Sequence, residues 1–401
     1  MIFRKLSDEE FKCFIDSHEL KSFYQTKEMD LYSNLNGSIS YYVGIEKDNK
    51  IVAATRLVSK KNRLGFNHFY SPRGLVLDYN DEELLKFFVK ELKKFIKKKH
   101  GYVLHVDPLV IHKSRDINGD ITNELDNTNI VDDLLNLGFK HNGFTKGYDL
   151  SSLGRWYFVL NLENKTIDDI SKDMKANHRN IIRKAQKYGV EVKQISYDDL
   201  DTFKYITENT SNRVGFKDKS LLYYQTMYKA FKDDIKFMIA YLNIEKYKEK
   251  LNEELEENKL KYEKITDKEK SSAKELKITI DGIKKRLNEC KKYKEKNIPI
   301  SCAMYMLYGD EVSYLFSGSL SEYKNLYAQY LIQWNMINYA IDNKYKIYNF
   351  YGISGIFDKK DKDYGVYEFK KGFGGEVVEF IGDFYLPTSI FYYINKIIRR
   401  K

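Results

Sequence analysis

Residues 244–297 constrain the fold more than any other stretch of the chain. They are almost all Lys, Glu, Asn and Leu, with no Gly before Gly282 and no Pro before Pro299. Leu276, Ile280, Ile283, Leu287 and Cys290 recur in alternating steps of four and three. That spacing is a coiled-coil seam, in which one stripe is buried and the rest solvated. Ile244, Tyr247, Leu251, Leu255, Tyr262 and Ile265 repeat the pattern less regularly upstream. Ser272 and Glu275 make an S-x-x-E capping box, so a second helix is predicted to start there. The reading is two antiparallel helices, each about 35–40 Å long at ~1.5 Å per residue. Strand-like runs at 237–243 and 298–306 flank the pair. The arm is therefore expected to project from a hairpin turn of a sheet.

A chain of 401 residues is too long for one ordinary core, so two domains plus the arm are expected. The formal charge of +10 favours an anionic partner: nucleic acid, phosphate or an acidic membrane surface. Cys13, Cys290 and Cys302 have neither metal nor disulfide spacing and suit a reducing cytosol. His105 and His112 lack a ligand set around them, so no metal is expected. The N-terminus is charged without an apolar signal core, and no run has the length of a transmembrane helix. Residues 392–401 mix Ile with Lys and Arg and read as a short basic tail helix rather than a membrane contact.

Taken in order, 41–45 and 51–58 are strands around the turn at 47–50, and 68–70 is a third. A helix follows over about 81–99, with Leu84, Leu85, Phe88, Leu92, Phe95 and Ile96 on one face. Then come a strand at 102–106, ending at Asp107-Pro108, and a short helix at 130–137. The second half repeats the order: a strand pair at 237–243 and 298–307, a strand at 312–316, a helix over about 322–341, and a strand at 346–350. This points to a duplicated mixed α/β (α+β) unit. The order is that of the acyl-CoA N-acyltransferase (GNAT) fold, so two tandem GNAT-like subdomains are expected, with the antiparallel coiled-coil arm inserted. The division is 1–150 for the first subdomain, 151–243 with 298–401 for the second, and 244–297 for the arm. Neither half has the R/Q-x-x-G-x-G/A loop that cradles coenzyme A. Residues 171–187 read as one helix with a basic face of Lys172, Lys175, Arg179, Arg183 and Lys187, either a solvated stripe or a phosphate-backbone contact.

Phe23-Tyr-Gln-Thr26, Tyr70-Ser-Pro-Arg-Gly74, Leu104-His-Val-Asp-Pro108, Leu137-Gly-Phe139, Tyr348-Asn-Phe-Tyr-Gly352 and Phe369-Lys-Lys-Gly-Phe-Gly374 occur in order around the arm. Together they resemble the FemABX family of peptidoglycan bridge-forming aminoacyltransferases, from about residue 23 to 387. The resemblance implies transfer of an amino acid (glycine, alanine or serine) from aminoacyl-tRNA to an amine of a lipid-linked peptidoglycan precursor. The acceptor amine belongs to the peptide stem or to a growing bridge. It implies no cofactor, and a cytoplasmic protein peripheral to the inner face of the membrane. A second copy or a related Fem-type transferase is the candidate protein partner. The arm is compared, by analogy, with a tRNA-contacting arm of a tRNA synthetase.

The same resemblance assigns roles to residues. Asp107 matches the acidic residue of the family's D-P motif and Lys370 the lysine of its F-K motif. Phe369 would pack under the acceptor, and Arg73 belongs to the substrate site. Lys219 and Tyr223, one helical turn apart, match a basic residue and tyrosine that hold the acceptor, with Arg213 able to supply the charge instead. Tyr314 matches another acceptor-contacting tyrosine. Met29 and Ser33 stand where the family has Trp and Lys, which puts one phosphate contact in doubt.

The chemistry also stands on its own terms. Aminolysis of an ester needs a neutral amine, so a carboxylate that takes its proton helps. The tetrahedral intermediate carries an oxyanion, which a nearby cation stabilises. A cationic cleft where amine and RNA-borne ester meet is therefore expected. Two rivals remain: an N-acyltransferase using another activated donor, and a non-catalytic RNA-binding protein.

Overall fold

The computed structural model of the chain describes residues 1–148, 152–265 and 270–398. Two mixed sheets form its framework. The first holds eight strands, in the spatial order Ile2–Lys5, Ile39–Lys47, Lys50–Lys61, Asn67–Ser71, Gly101–Val106, Phe384–Pro387 and Lys140–His141, with Val76–Leu77 paired to Lys50–Lys61. The second holds nine: Val190–Gln194, Ile235–Asn243, Asn297–Tyr308, Glu311–Ser319, Ile347–Gly352, Trp156–Asn161, Glu376–Phe380, Ile111–Arg115 and Ile121–Asp126.

One neighbouring pair in each sheet is parallel: Asn67–Ser71 with Gly101–Val106, and Glu311–Ser319 with Ile347–Gly352. A parallel pair needs a crossover, and a helix supplies it both times. Glu82–Lys98 is capped by the Asp81 side chain and buries Leu84, Leu85, Phe88, Leu92 and Ile96 in the first core. At about 1.5–3 kcal/mol per large apolar side chain, that face anchors the unit. Ala328–Asp342 does the same in the second half, burying Leu331, Ile332, Met336, Ile337 and Ala340. The duplicated order read from the sequence is thus the architecture.

Several boundaries differ from the sequence reading. The sheets do not divide at residue 150. Ile111–Arg115 and Ile121–Asp126 pair into the second sheet beside Glu376–Phe380, while Phe384–Pro387 returns to the first beside Gly101–Val106. The helix predicted over 322–341 is broken at Tyr327, which has φ 54°, between a 3-10 turn at Ser321–Leu326 and the helix proper.

The helix predicted over 171–187 is two helices, Ile167–Asp173 and Ala176–Lys187. Arg179 spends its guanidinium on the carbonyls of Ser171 and Met174 that the break exposes. Lys175 pairs with Glu368, and Lys172 faces Asp169 at 3.9 Å. Part of the basic stripe is therefore engaged within the fold, while Arg183 and Lys187 remain exposed.

The arm consists of Ile244–Glu263 and Lys270–Cys290. Helices of 20 and 21 residues span only about 30 Å. The second begins at Lys270, so Ser272 lies inside the helix rather than capping it, and 266–269 are outside the described residues. Ile280, Ile283 and Cys290 are buried as the seam requires, with Leu276 and Leu287 half-buried, but Tyr262 is exposed. The base of the arm is rooted in the body. Tyr247, Leu251, Leu255 and Ile283 belong to the second sheet's core, and the Tyr188 hydroxyl donates to Glu254 at 2.7 Å. The tail forms a helix over Phe391–Ile398.

Candidate active site

The first half of the site forms where the parallel pair ends. Pairing stops at Ser71 and Val106, and the two chains then separate. Asp107 occupies the fork, almost wholly buried at 1% exposure. Its carboxylate accepts the Arg73 backbone N–H at 2.8 Å and the Tyr70 hydroxyl at 3.0 Å. Burial pushes its pKa up to about 6, against the opposing pull of the Arg73 guanidinium. The sequence thus selects an acid at a strand end, and burial holds it near neutrality.

The loop 71–74 is built to hold that geometry. Arg73 adopts a left-handed φ of 54°, a conformation uncommon for a residue with a side chain. Its guanidinium donates to Gly154 O at 2.7 Å and to the Tyr157 hydroxyl at 2.5 Å, and lies over the Tyr157 and Phe380 rings. Gly74 admits no side chain, since a Cβ would sit 2.0 Å from Ser71 Oγ. Gln25, fully buried, donates to Pro72 O at 2.6 Å and accepts the Arg56 N–H at 2.7 Å. Arg56 is itself held by Asp30 and by Ser33, the residue standing where the resembling family has a lysine. Behind Tyr70, His105 is stacked between Tyr70 and Tyr385 and hydrogen-bonded to Asp383 at 2.6 Å.

The second half forms at the matching fork of the other sheet, where pairing ends at Ser313 and Asn349. Tyr351 has φ 65°, and its N–H is taken by Asn349 Oδ1 at 2.7 Å. Its hydroxyl meets that of Tyr24 at 2.8 Å, and its ring stacks on Tyr157 at 4.4 Å. The next carbonyl, Gly352 O, accepts from Lys370 Nζ at 2.5 Å. Lys370 lies on the helix Tyr364–Lys371 and is 5% exposed. Burial alone lowers its pKa to about 7. His178 steadies this helix end: its Nε2 is 3.0 Å from Phe369 O, and its ring lies where a Cβ on Gly372 would fall.

Contacts run without a gap from Asp107 through Arg73, Tyr157, Tyr351 and Gly352 to Lys370. Arg73, Tyr157 and Tyr351 also line a cleft of about 680 Å³ between the sheets. Asp107 and Lys370 are not in its lining. Its ionisable wall is Glu19, Asp78, Asp310, Glu311 and Glu376 against Lys21 and Arg73. The expected cationic cleft is therefore acidic at this point. The surplus of Lys and Arg lies elsewhere on the molecule.

Lys219 precedes the helix Leu221–Phe231 instead of lying on its face, because Ser220 is the N-cap. Its ammonium nonetheless sits over Tyr223 at 5.5 Å and Phe316 at 5.9 Å. Tyr24, Tyr32, Tyr223 and Phe316 border one hydrophobic cluster, so this pair adjoins the Tyr24 side of the site. Among the described residues Arg213 reaches only Ser319 O, at 3.4 Å. Tyr314 falls on the opposite face of its strand from Ser313, which lines the cleft. Its hydroxyl donates to Ser317 and to Gln329 inside the second core. The structure therefore does not bring Tyr314 to the site. Phe369 is half-buried among His178, Tyr330 and Phe373.

Among the described residues, no group of His, Cys, Asp and Glu could hold a metal, and no helix is long and apolar enough to cross a membrane. Sequence reasoning missed Tyr24, Tyr157, Tyr351 and Asp383. The first and third lie inside quoted motifs, but nothing marks a tyrosine for a left-handed backbone.

The FemAB family profile matches residues 6–400. Aminoacyltransferase FemA of Staphylococcus epidermidis is 36% identical over 97% of this chain and 96% of its own length. Its counterpart in Staphylococcus aureus is 34% identical over the same shares. Among solved structures, FemX superposes with a TM-score of 0.77 at 23% identity, covering 99% of this chain and all of its own. A tandem GNAT protein from the clavulanic acid biosynthesis pathway gives 0.51 at 8% identity, covering 97% and 98%. These two likenesses show the fold: tandem GNAT-like units.

Proposed function

The chain belongs to the FemAB family and is an aminoacyltransferase, and we propose that it takes its amino acid from aminoacyl-tRNA and joins it to a free amine on the stem or growing bridge of a lipid-linked peptidoglycan precursor. In this reading Asp107 accepts the proton of the attacking amine, and the Lys370 ammonium faces the oxyanion of the tetrahedral intermediate. The new C–N bond forms, the ester C–O bond breaks, and the proton passes to the departing ribose oxygen. Arg73 holds the Asp107 loop, and Lys219 with Tyr223 and Phe369 contacts the acceptor. The protein works in the cytoplasm against the membrane that carries its acceptor, and the arm contacts the tRNA.

The observation that carries the reading is a pair of buried groups held near neutrality, Asp107 at about 6 and Lys370 at about 7, one at the fork of each sheet and joined by a chain of contacts. The acidic cleft beside them suits a cationic amine better than a polyanion.

Single charged tRNAs offered with bare and extended precursors test the reading. Gain of one aminoacyl residue by the precursor, seen by mass, is the expected result. No transfer from any charged tRNA to any natural precursor overturns it. Transfer from coenzyme A thioesters would favour the N-acyltransferase rival. Binding of tRNA unaffected by Asp107→Asn and Lys370→Met, with no transfer at all, would favour the RNA-binding rival.

A further inference from the structure

Three segments distant in sequence meet at the Gly101 edge of the first sheet, the end opposite Asp107. The hairpin 60–68 lies there, and Phe66 packs its ring on Phe391 of the terminal helix at 3.9 Å. Asn67 ties the hairpin to the end of the helix Glu82–Lys98, its side chain donating to Lys99 O at 2.7 Å. Thr388 ties the terminal segment to the same edge, donating to Gly101 O at 2.8 Å.

These segments, 60–68, 97–100 and 388–398, hold seven Lys and Arg and no Asp or Glu, in a chain with 58 carboxylates. Lys60, Lys61, Arg63, Lys97 and Lys98 are exposed, and none joins an ion pair among the described residues. Between them the surface shows Leu64 at 70% exposure, Ile390 at 71%, and Tyr393 and Ile394 around half. Aliphatic side chains left in water beside unpaired cations match a surface that offers hydrocarbon beneath negative charge. Nucleic acid supplies the charge but no counterpart for Leu64 or Ile390.

We propose that this edge is a docking surface for a bilayer carrying anionic lipids, with Leu64, Ile390 and Ile394 entering the acyl boundary and the lysines lying among the headgroups. The proposal deepens the reading of a lipid-linked acceptor and gives it a direction. Asp107 lies one six-residue strand from the patch, about 17–20 Å, so the acceptor amine reaches the site on an extended peptide of roughly five residues.

Vesicles of phosphatidylglycerol and of phosphatidylcholine, sedimented with the full chain, provide the test. Binding to the first and not the second is expected, weakening as salt rises. Each cation near an anionic surface contributes about fivefold, so Lys60→Gln/Lys61→Gln/Arg63→Gln should weaken binding about 100-fold. Leu64→Ser/Ile390→Ser should weaken it at least tenfold, with circular dichroism unchanged. Transfer to a water-soluble precursor should be unaltered in both variants. Failure of that transfer in the parent protein therefore speaks against the enzymatic reading and leaves the docking result standing. No binding to phosphatidylglycerol, equal binding by the variants, or loss of tRNA binding in place of vesicle binding overturns the proposal.

Discussion

Replacing Lys370 with Met should stabilise the protein in mild acid while disabling it. An unfolded lysine loses its proton near ~10.5, whereas Lys370 loses it at about 7. Between these values the unfolded chain binds one more proton than the native one, so stability of the parent rises with pH across that window. Below pH 7 the full penalty of keeping the ammonium inside is present. Three and a half pH units at about 1.4 kcal/mol each make that penalty ~5 kcal/mol. At 5% exposure, little solvent screening reduces it. Methionine fills a similar volume, but leaves Gly352 O with only the Tyr148 hydroxyl at 3.4 Å as donor, a loss of about 1–3 kcal/mol. The variant should thus be ~2–4 kcal/mol more stable than the parent at pH 6 and about equal at pH 9, where only ~2 kcal/mol of the penalty remains. Urea unfolding of both proteins at the two pH values reads this difference directly, and other titrating groups cancel in it. A variant less stable at pH 6, or a gap between the two that does not change with pH, refutes the reasoning. In the transfer assay the same variant should lose about 10²–10³ in kcat, with the acceptor KM nearly unchanged.

Asp107→Asn should lower kcat by about 10²–10⁴ with little change in the urea midpoint, because the amide oxygen still accepts the Arg73 N–H. The parent's kcat/KM should follow a bell, rising through about pH 6 as Asp107 ionises and falling through about pH 7 as Lys370 loses its proton. Lys370→Met should abolish the alkaline fall and leave the acid limb. Gln25→Ala strands Pro72 O and the Arg56 N–H in the interior, so it should cost about 2–4 kcal/mol by denaturant melts. Replacing 257–276 of the arm by a short glycine turn should leave the body's melting unchanged. Deleting 246–296 also removes Tyr247, Leu251, Leu255 and Ile283 from the second core, and should cost more than ~5 kcal/mol.

Patterns that act locally were readable in the sequence. The seam of Ile280, Ile283 and Cys290, and the stripe of Leu84, Phe88 and Leu92, each repeat with the period of the surface they bury. The exchange of strands between sheets was not readable. Ile111–Arg115 and Ile121–Asp126 are short and mostly polar, and their place is decided by pairing with Glu376–Phe380, some 260 residues away. Tyr327 and Tyr351 were missed for another reason. A left-handed backbone usually announces itself through Gly or Asn, and here tertiary contacts impose it on tyrosines. Lys370 was singled out by motif, but its burial could not be told from a solvated Lys-Lys pair. Its neighbour Lys371 is indeed exposed enough to reach Asn118.

The treatment of buried charge separates scaffold from site. Seven Lys, Arg, Asp and Glu side chains are buried among the described residues: Arg56, Arg73, Asp107, Arg155, Lys370, Glu379 and Asp383. Five of them sit in ion pairs, Arg56 with Asp30, Arg73 with Asp107, and Arg155 with Glu379, and Asp383 is hydrogen-bonded to His105. Pairing is what a buried charge needs to be tolerated. Arg115 adds a second cation to Glu379, and Arg155 and Arg115 together hold that carboxylate below its ordinary pKa despite its burial. Asp107 is treated differently: the Arg73 guanidinium stands 3.9 Å away, is shared with Tyr157 and Gly154, and fails to offset burial. Among the described residues Lys370 has no carboxylate partner, only a carbonyl. A fold that pairs its other buried charges and leaves these two under-compensated gives up stability at the forks of its two sheets. Strain of that kind persists where chemistry uses it, and the chemistry that uses a base near 6 and a cation near 7 is proton removal beside a forming oxyanion.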